Sequence, residues 1–375
     1  MAVQGRHPWF YKKMVRKPEG VVPAGSAVRV RDSRGRKVGV GFYNPRTDLT
    51  LRMMSRDFEA DPEKLLLNRL GEAAAYRRKV LRLEDVTDGY RVVHAEGDGL
   101  PALILDRLGD ALVAQVGALC TQKHIEAIGE RLLRVYPKKK LLLTVDAQAR
   151  KREGLDAVPP PARVDTVVTE HEIRYAIAAG RGHKTGFFAD QRDNRQLLRR
   201  LAAGRRVLDL CCNSGGFALN AAFGGADEVV AADLDESMAA ETRANAKTNR
   251  LQVRAEHGDA FDVLRETKPG RFDLIVLDPP KWAADRHQLE AATARYLDLN
   301  RLGLTALRPG GILATFSCSG SLPDQQFLRI VRDAATQARR DLRILHRGGA
   351  GPDHPIAVEC PETGYLKALF LEVRA

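Results

Sequence analysis

The sequence predicts an α/β fold in which helices cover both faces of a mainly parallel sheet. From about residue 180, apolar strands alternate regularly with helices, and strands are expected near 206–210, 228–232, 252–256, 273–277, 310–316, 342–347 and 365–373. The first strand runs into a turn with two adjacent glycines, Gly215 and Gly216, and the second ends at Asp233, 24 residues after Asp209. This spacing is typical of nucleotide-binding sheets. It also fits an ordinary crossover whose glycines only pack helix against strand.

Length and composition indicate a globular protein of two or three domains. The 375 residues are 44% hydrophobic and 29% charged, which is ordinary for such proteins. No apolar run approaches the roughly 20 residues that cross a bilayer, and the N-terminal segment lacks a hydrophobic signal core. We therefore expect a cytoplasmic protein without a membrane association. The five cysteines have no CxxC spacing, which favours free thiols and no metal site.

The positive charge is concentrated near the N-terminus. The net charge is +12, and residues 1–56 contain thirteen Lys and Arg against three Asp and Glu. Such a concentration favours a surface that contacts nucleic-acid phosphates. A solvated basic face that maintains solubility is the alternative.

Three domains are predicted along the chain, at residues 1–70, 71–178 and 179–375. Alternating patterns and turns predict strands and helices in the first two. The predicted strands are 28–31, 37–43, 49–54, 90–94, 103–107, 111–116, 141–145 and 170–175, and the predicted helices are 62–81 and 121–135. The first domain reads as a small β-domain and the second as α+β. Arg308-Pro309-Gly310-Gly311 is predicted to turn the chain into the fifth strand of the third domain.

Polar residues follow four consecutive strands of the third domain, where an open α/β sheet binds its ligand. A dehydrogenase would explain the first two of these strand ends but not Asp278-Pro279-Pro280-Lys281 or Ser317-Cys318-Ser319. Methyl transfer from S-adenosylmethionine accounts for all four. The glycine turn would lie along the methionine part, Asp233 would bind the ribose, and Asp259 would bind the adenine. The predicted cofactor-binding residues are Gln191, Asp209, Asn213, Ser214, Gly215, Gly216, Phe217, Asp233, Leu234, Asp259, Ala260 and Asp278.

Several motifs resemble a known family. Gly5-Arg6-His7-Pro8-Trp9-Phe10 and Val38-Gly39-Val40-Gly41-Phe42-Tyr43-Asn44 are similar to a PUA domain, a small RNA-binding β-barrel. Four further pieces resemble bacterial 23S ribosomal RNA 5-methylcytosine methyltransferases of the RlmI type. They are the segment 184–195, the Asp-Pro-Pro-Lys turn, Ser317-Cys318-Ser319, and the ending made of His354-Pro355 with residues 361–367.

This resemblance covers nearly the whole chain and implies an architecture. A PUA-like barrel at 1–70 and a central α+β domain at 71–178 would precede a Rossmann-like class I methyltransferase domain at 179–375. It also implies that the segment around Gln191 caps the cofactor. Cys211-Cys212-Asn213 departs from the aromatic and polar residues common in relatives, so backbone contacts are expected there.

Cys318 is the predicted nucleophile. Carbon 5 of cytosine reacts slowly by itself, and a thiolate that adds to carbon 6 activates it. Asp278 would stabilise the charge of the adduct. Lys281 is one candidate for the basic neighbour that ionises the thiol. The alternative interpretation is a small buried cysteine at a strand end.

The resulting hypothesis is a ribosomal RNA cytosine-C5 methyltransferase, monomeric or dimeric, that binds 23S ribosomal RNA and acts on an unpaired or flipped base. One alternative is a ribosomal RNA guanine methyltransferase, acting at N7 or the exocyclic amine, in which Cys318 is not catalytic. A non-catalytic RNA-binding protein is another, and it would leave the four strand-end motifs unexplained.

Overall fold

The computed structural model of the chain describes residues 6–145, 147–161, 163–180 and 185–374. Gly5 and Lys184, which belong to the motifs quoted above, lie outside these ranges. The chain forms two compact units. The first comprises Met1–Val168, Ile177–Phe188 and Pro352–Thr363, and the second comprises Thr169–Ala176, Ala189–Gly351 and Gly364–Ala375. The predicted boundaries at 70 and 178 stay a prediction.

Two four-stranded sheets build the first unit. The N-terminal sheet has the order β1-β4-β3-β2 and consists of β1 (Trp9–Phe10), β2 (Ser26–Arg31), β3 (Lys37–Tyr43) and β4 (Leu51–Ser55). After helix α1 (Pro62–Ala75), the second sheet runs in the order β5-β6-β7-β8, with α2 and α3 before its last strand. These elements are β5 (Gly89–His94), β6 (Leu103–Leu108), β7 (Ala111–Val116), α2 (Leu119–Lys123), α3 (Ile125–Val135) and β8 (Lys140–Val145).

A short helix and a hairpin follow. They are α4 (Ala147–Glu153), β9 (Val164–Glu170) and β10 (Ile173–Ala179). The last two strands pair with each other. The turn of the hairpin, with the strand ends beside it, belongs to the second unit.

A seven-stranded sheet of order β13-β12-β11-β14-β15-β17-β16 forms the second unit. Its strands are β11 (Arg206–Leu210), β12 (Glu228–Asp233), β13 (Arg254–His257), β14 (Phe272–Leu277), β15 (Leu307–Ser317), β16 (Asp341–Gly348) and β17 (Lys367–Arg374). Its helices are α5 (Arg192–Leu201), α6 (Gly216–Phe223), α7 (Glu236–Thr248), α8 (Ala260–Glu266), α9 (Leu289–Ala306) and α10 (Asp324–Ala338). The predicted α/β class is confirmed.

Alternate residues of the central strands pack on opposite faces of this sheet. Leu208 and Leu277 belong to one buried cluster, whereas Val207 and Val276 belong to the other. Both faces are covered, which is why these strands read as nearly continuous apolar runs. The two buried layers fix the carboxyl ends of the central strands, where the candidate site lies.

Three local predictions need correction. The predicted helix 121–135 is two helices separated at His124, whose Nδ1 lies 2.7 Å from the carbonyl oxygen of Cys120. The predicted strand 170–175 contains the hairpin turn, where His171 and Glu172 have φ values of 44° and 77°. Residues 308–311 do not precede the fifth strand but form a bulge within it, because Phe272 pairs with Leu307 and Leu274 with Ile312.

The helix predicted at 62–81 is nearly confirmed, since α1 continues into a wider helical turn, Tyr76–Val80. Within the described part of the chain, no helix combines the length and apolarity needed to span a bilayer.

Candidate active site

The candidate site lies at the carboxyl ends of five parallel strands. In the sheet register, Leu210 pairs with Ala232 on one side and with Leu277 on the other, and Leu277 also pairs with Thr315. The strands therefore end at nearly the same level. The chain moves outward from β11 through β12 to β13 and then returns to the opposite side of β11 at β14. This reversal is the switch point at which open α/β sheets bind their ligands.

The glycine turn after β11 is tightly constrained. Gly215 has φ +89°, and a Cβ atom at this position would lie 2.8 Å from Cγ2 of Thr242. The hydroxyl of Thr242 donates to the carbonyl of Asn213 over 2.7 Å, and the amide of Asn245 donates to that of Ser214 over 3.1 Å. Packing against α7 therefore explains why residue 215 is a glycine, whether or not a ligand is bound. The sequence did not indicate Thr242 or Asn245.

Asp209 is buried at the base of this turn. Its Oδ2 accepts a 2.8 Å hydrogen bond from the backbone N–H of Ala218, near the start of α6. Its Oδ1 is buried and has no hydrogen-bond partner in the described structure. Burial raises the pKa of Asp209 well above its usual value, and Asp278 and Asp233 raise it further. An orphaned acceptor of this kind suits a ligand with a cationic or N–H donor group.

Four carboxylates lie around the start of the turn. Burial raises the pKa of the Cys211 thiol, and the four acids raise it further. They are Asp233, Asp278, Asp209 and Asp259. Such a negative crevice attracts the ammonium and sulfonium groups of S-adenosylmethionine and repels a dinucleotide pyrophosphate. The donor set therefore fits this cofactor and disfavours the dehydrogenase alternative.

Asp233, the acid predicted to bind the ribose, is held by backbone groups. Asp233 Oδ2 accepts from the N–H of Asn213 over 2.9 Å, and its Oδ1 accepts from that of Asp235 over the same distance. Both carboxylate oxygens are thereby oriented at the end of β12. The next residue, Leu234, is 67% exposed, so its side chain can cover a ligand at this edge.

The two residues predicted to contact the adenine begin a helix. Asp259 is the N-cap of α8 and accepts from the N–H of Phe261 over 2.8 Å, with Ala260 buried behind it. Phe217 differs from the other predicted residues, because its side chain stacks on Phe316 in the core. Only its main chain can therefore contribute to a pocket.

The side chain of Gln191 is buried and orients Asp278. Its Nε2 donates to Asp278 Oδ2 over 3.0 Å, and its Oε1 accepts from the amide of Asn194 over 2.7 Å. Asn194 also donates to the carbonyl of Gly349 over 3.0 Å. Gln191 thus fixes one carboxylate oxygen of the acid that follows β14. Sequence reasoning did not identify Asn194.

Cys318 is half-buried directly after β15, one strand from Asp278. Its Sγ lies 4.0 Å from the carbonyl oxygen of Pro279. The serines on either side share one partner, because the hydroxyl of Tyr296 lies 3.0 Å from Ser317 Oγ and 3.2 Å from Ser319 Oγ. This network holds the Cys318 turn rigidly against α9.

Lys281, the predicted basic neighbour, is exposed. A second lysine, Lys367 at the start of β17, is buried next to the same turn, and its Nζ donates to the carbonyl of Ser319 over 2.6 Å. The sequence offers no signal for this contact, because the acceptor is a main-chain group that every residue carries.

One group of described residues has the donor atoms of a metal site. His7, Cys360 and Glu362 bring their ligand atoms within 4.8 Å of one another. His7 Nδ1, however, accepts from the N–H of Trp9 over 3.1 Å, and Nε2 lies 3.1 Å from Glu362. This pattern places the proton on Nε2, where a metal would need a lone pair. The hydrogen-bonded form explains the contacts, and the absence of a metal stays a prediction.

Two families match the sequence. Residues 158–371 match the S-adenosylmethionine-dependent methyltransferases, and residues 2–56 match the PUA-like domain.

Curated relatives match the full length. A protein of Tolumonas auensis named ribosomal RNA large subunit methyltransferase I is 39% identical over 98% of this chain and 95% of its own length. A protein of the same name in Photobacterium profundum is 36% identical over 100% of this chain and 97% of its own length. A protein of this name in Erwinia tasmaniensis is 35% identical over 98% and 96%.

Solved structures share the fold. A protein assigned as a methyltransferase and crystallised with SAH has a TM-score of 0.81 at 20% identity, over 98% of this chain and 96% of that chain. A protein assigned as an S-adenosylmethionine-dependent methyltransferase from Streptococcus mutans has a TM-score of 0.77 at 20% identity, over 94% and 93%.

Proposed function

The chain belongs to the S-adenosylmethionine-dependent methyltransferases and uses that cofactor, and on this premise we propose that it methylates carbon 5 of a cytosine in large-subunit ribosomal RNA. The relatives' name supports the RNA, and the PUA-like domain supports its binding. The observation that carries the proposal is the position of Cys318, half-buried at the end of β15 and one strand from Asp278.

The strand-end residues of the second unit would hold the cofactor. The orphaned Oδ1 of Asp209 would receive its ammonium group, Asp233 the ribose hydroxyls and Asp259 the adenine amine. When bound, S-adenosylmethionine supplies an electrophilic methyl group. The four acids favour its positive charge at this edge of the sheet.

The residues of this chain would activate the base in three steps. The thiolate of Cys318 forms a bond to carbon 6, and the electron pair of the C5=C6 bond makes carbon 5 nucleophilic. Asp278, oriented by Gln191, would hydrogen-bond the ring nitrogen or the exocyclic amine and so position the base. A proton that it shares with the ring nitrogen would offset the negative charge of the adduct. After carbon 5 has gained the methyl group, a base takes its proton, the double bond forms again, and Cys318 leaves as thiolate.

The outward face of the N-terminal sheet supplies a surface for RNA phosphates. Arg29 and Arg31 project from exposed positions of β2, and both guanidinium groups lie over the ring of Phe58, at 5.9 and 4.8 Å from its centroid. Lys37 of β3 lies 5.0 Å from the same centroid. Arg29 Nε donates to the carbonyl of Phe58 over 3.2 Å and Arg31 Nη1 to that of Gly35 over 2.9 Å, and Lys37 is paired with Glu59 over 2.6 Å. The remaining N–H groups of the two arginines are therefore the ones that would donate to phosphate oxygens.

Replacement of the nucleophile tests this function. We expect Cys318→Ala to lower methyl transfer to large-subunit ribosomal RNA on the order of 10³-fold or more and to remove one 5-methylcytosine from RNA mapped by mass spectrometry. Cys120→Ala is the matched control, because burial raises the pKa of Cys120 to about 11 and keeps it inert. Full activity of Cys318→Ala, with a methylguanosine as product, would refute the proposal and identify the chain as a guanine methyltransferase.

A further inference from the structure

We propose that Lys367 supplies the positive charge that keeps the Cys318 thiol ionised. It would thus be a positioning residue that acts through the nucleophile, and the inference rests on the proposed function of Cys318. Lysine charges lower the pKa of nearby thiols, and only the thiolate attacks carbon.

The sheet places Lys367 against both neighbours of Cys318. Ser317 and Lys367 are paired residues of the antiparallel strands β15 and β17. The ammonium group of Lys367 donates to the carbonyl of Ser319 over 2.6 Å. The lysine side chain therefore runs along the turn whose central residue is Cys318. Its Nζ is also held by the carbonyl of Tyr365 at 2.8 Å, so its position is fixed from two sides.

A buried ammonium group needs a compensating anion. Lys367 is 6% exposed, and its two acceptors are neutral carbonyls that satisfy N–H groups without cancelling the charge. Burial lowers the pKa of Lys367 to about 8, against the opposing influence of Asp324 and Cys318 and with a further lowering by Lys281. Asp324 is exposed and is also paired with Arg347 over 3.4 Å. Of the groups that raise the pKa of Lys367, Cys318 is the one in the turn that the lysine contacts, so we assign the compensating negative charge to its thiolate.

Lys281 is the competing candidate for this role. Its side chain is exposed, so solvent and salt screen its charge. A charge beneath the turn and away from water acts more strongly on a half-buried thiol than a charge on the surface. Asp278 and Tyr296 also face the Cys318 turn, because burial raises the pKa of Tyr296 and both Cys318 and Asp278 raise it further. The Asp278 carboxylate opposes ionisation of the thiol, so a cation must outweigh it, and the two lysines make different predictions for the thiol.

The pH dependence of Cys318 alkylation tests the inference in the full-length protein. Iodoacetamide labelling followed by mass spectrometry of the Cys318 peptide gives the apparent thiol pKa without requiring turnover. We expect the wild-type value to lie below the free-cysteine value of about 8.5. Lys367→Met should raise it by on the order of one pH unit or more, whereas Lys367→Arg keeps it near wild type. The surface variant Lys268→Met serves as the matched control and leaves it unchanged.

Three results would overturn the inference. The first is a wild-type thiol pKa at or above about 8.5, which is measured without any variant and so does not depend on a variant's folding. The second is an unchanged thiol pKa in folded Lys367→Met. The third is a thiol pKa that rises in Lys281→Met but not in Lys367→Met. The failure of the proposed function is distinguishable, since it would appear as full methyl transfer by Cys318→Ala. An inactive Cys318→Ala with an unchanged thiol pKa in Lys367→Met would refute the role of the lysine alone.

Discussion

Substitution of Gly215 separates packing from ligand binding at the glycine turn. Gly215→Ala places a Cβ 2.8 Å from Thr242 Cγ2 in a backbone of φ +89°. The left-handed backbone costs roughly 1–2 kcal/mol for a non-glycine residue, and overpacking adds about 1–3 kcal/mol. We therefore expect a loss of about 2–5 kcal/mol in unfolding free energy, which lowers Tm by roughly 4–20 °C for a unit of this size.

Differential scanning calorimetry without ligand measures this loss. Thr242→Ser removes the colliding methyl group and keeps the hydroxyl that donates to Asn213. In the Thr242→Ser background, Gly215→Ala should therefore cost less, mainly the backbone part of about 1–2 kcal/mol, since the remaining neighbours of the Cβ lie at 3.2 and 3.3 Å. Gly216→Ala is the control for a glycine without a positive φ and should be less destabilising. An unchanged Tm in Gly215→Ala together with lost cofactor affinity would refute the packing explanation.

Two further predictions concern the RNA surface and the sheet. The double variant Arg29→Ala and Arg31→Ala should reduce the slope of log affinity against log salt concentration by about 1.4 for single-stranded RNA. Fluorescence anisotropy measures this slope, with the exposed Arg254→Ala as the control. A slope equal to that of the control would contradict the proposed RNA surface. Asp273 is bound by Arg206, which together with Arg308 lowers its pKa to about 2. Because the folded pKa is depressed, its stabilisation is present above pH 4 and is lost as pH falls from about 4 to 2. Asp273→Asn should cost about 2 kcal/mol of unfolding free energy at pH 7, with a difference from wild type that disappears towards pH 2.

The strands of the second unit could be predicted from the sequence because apolar runs and turns mark them. Asp233 and Asp278 follow directly from those strand ends. The hairpin turn at His171 and Glu172 could not be predicted, since neither residue is a usual left-handed turn former and the flanking residues continue an alternating pattern. Arg199, from a helix later in the chain, donates to the carbonyl of His171 over 3.2 Å and to the carboxylate of Glu172 over 3.2 Å.

The residues that position the candidate site could not be predicted from the sequence either. Thr242 and Asn245 hold the glycine turn from a helix that reads as an ordinary amphipathic segment. Lys367 reaches the Cys318 turn through main-chain carbonyls, which leave no pattern in the sequence. The sequence shows the types and the spacing of the predicted site residues, whereas the groups that position them depend on packing between segments that are distant along the chain.

The most direct test of the central claim uses ribosomal RNA in which cytidine is replaced by 5-fluorocytidine. Fluorine at carbon 5 prevents the final loss of a proton, so the bond between Cys318 Sγ and carbon 6 should persist after methyl transfer. We expect a covalent protein–RNA complex that requires S-adenosylmethionine and maps to the Cys318 peptide by mass spectrometry. Methylation of cytosine by the wild-type protein without any such complex, or a complex that persists in Cys318→Ala, would contradict the account.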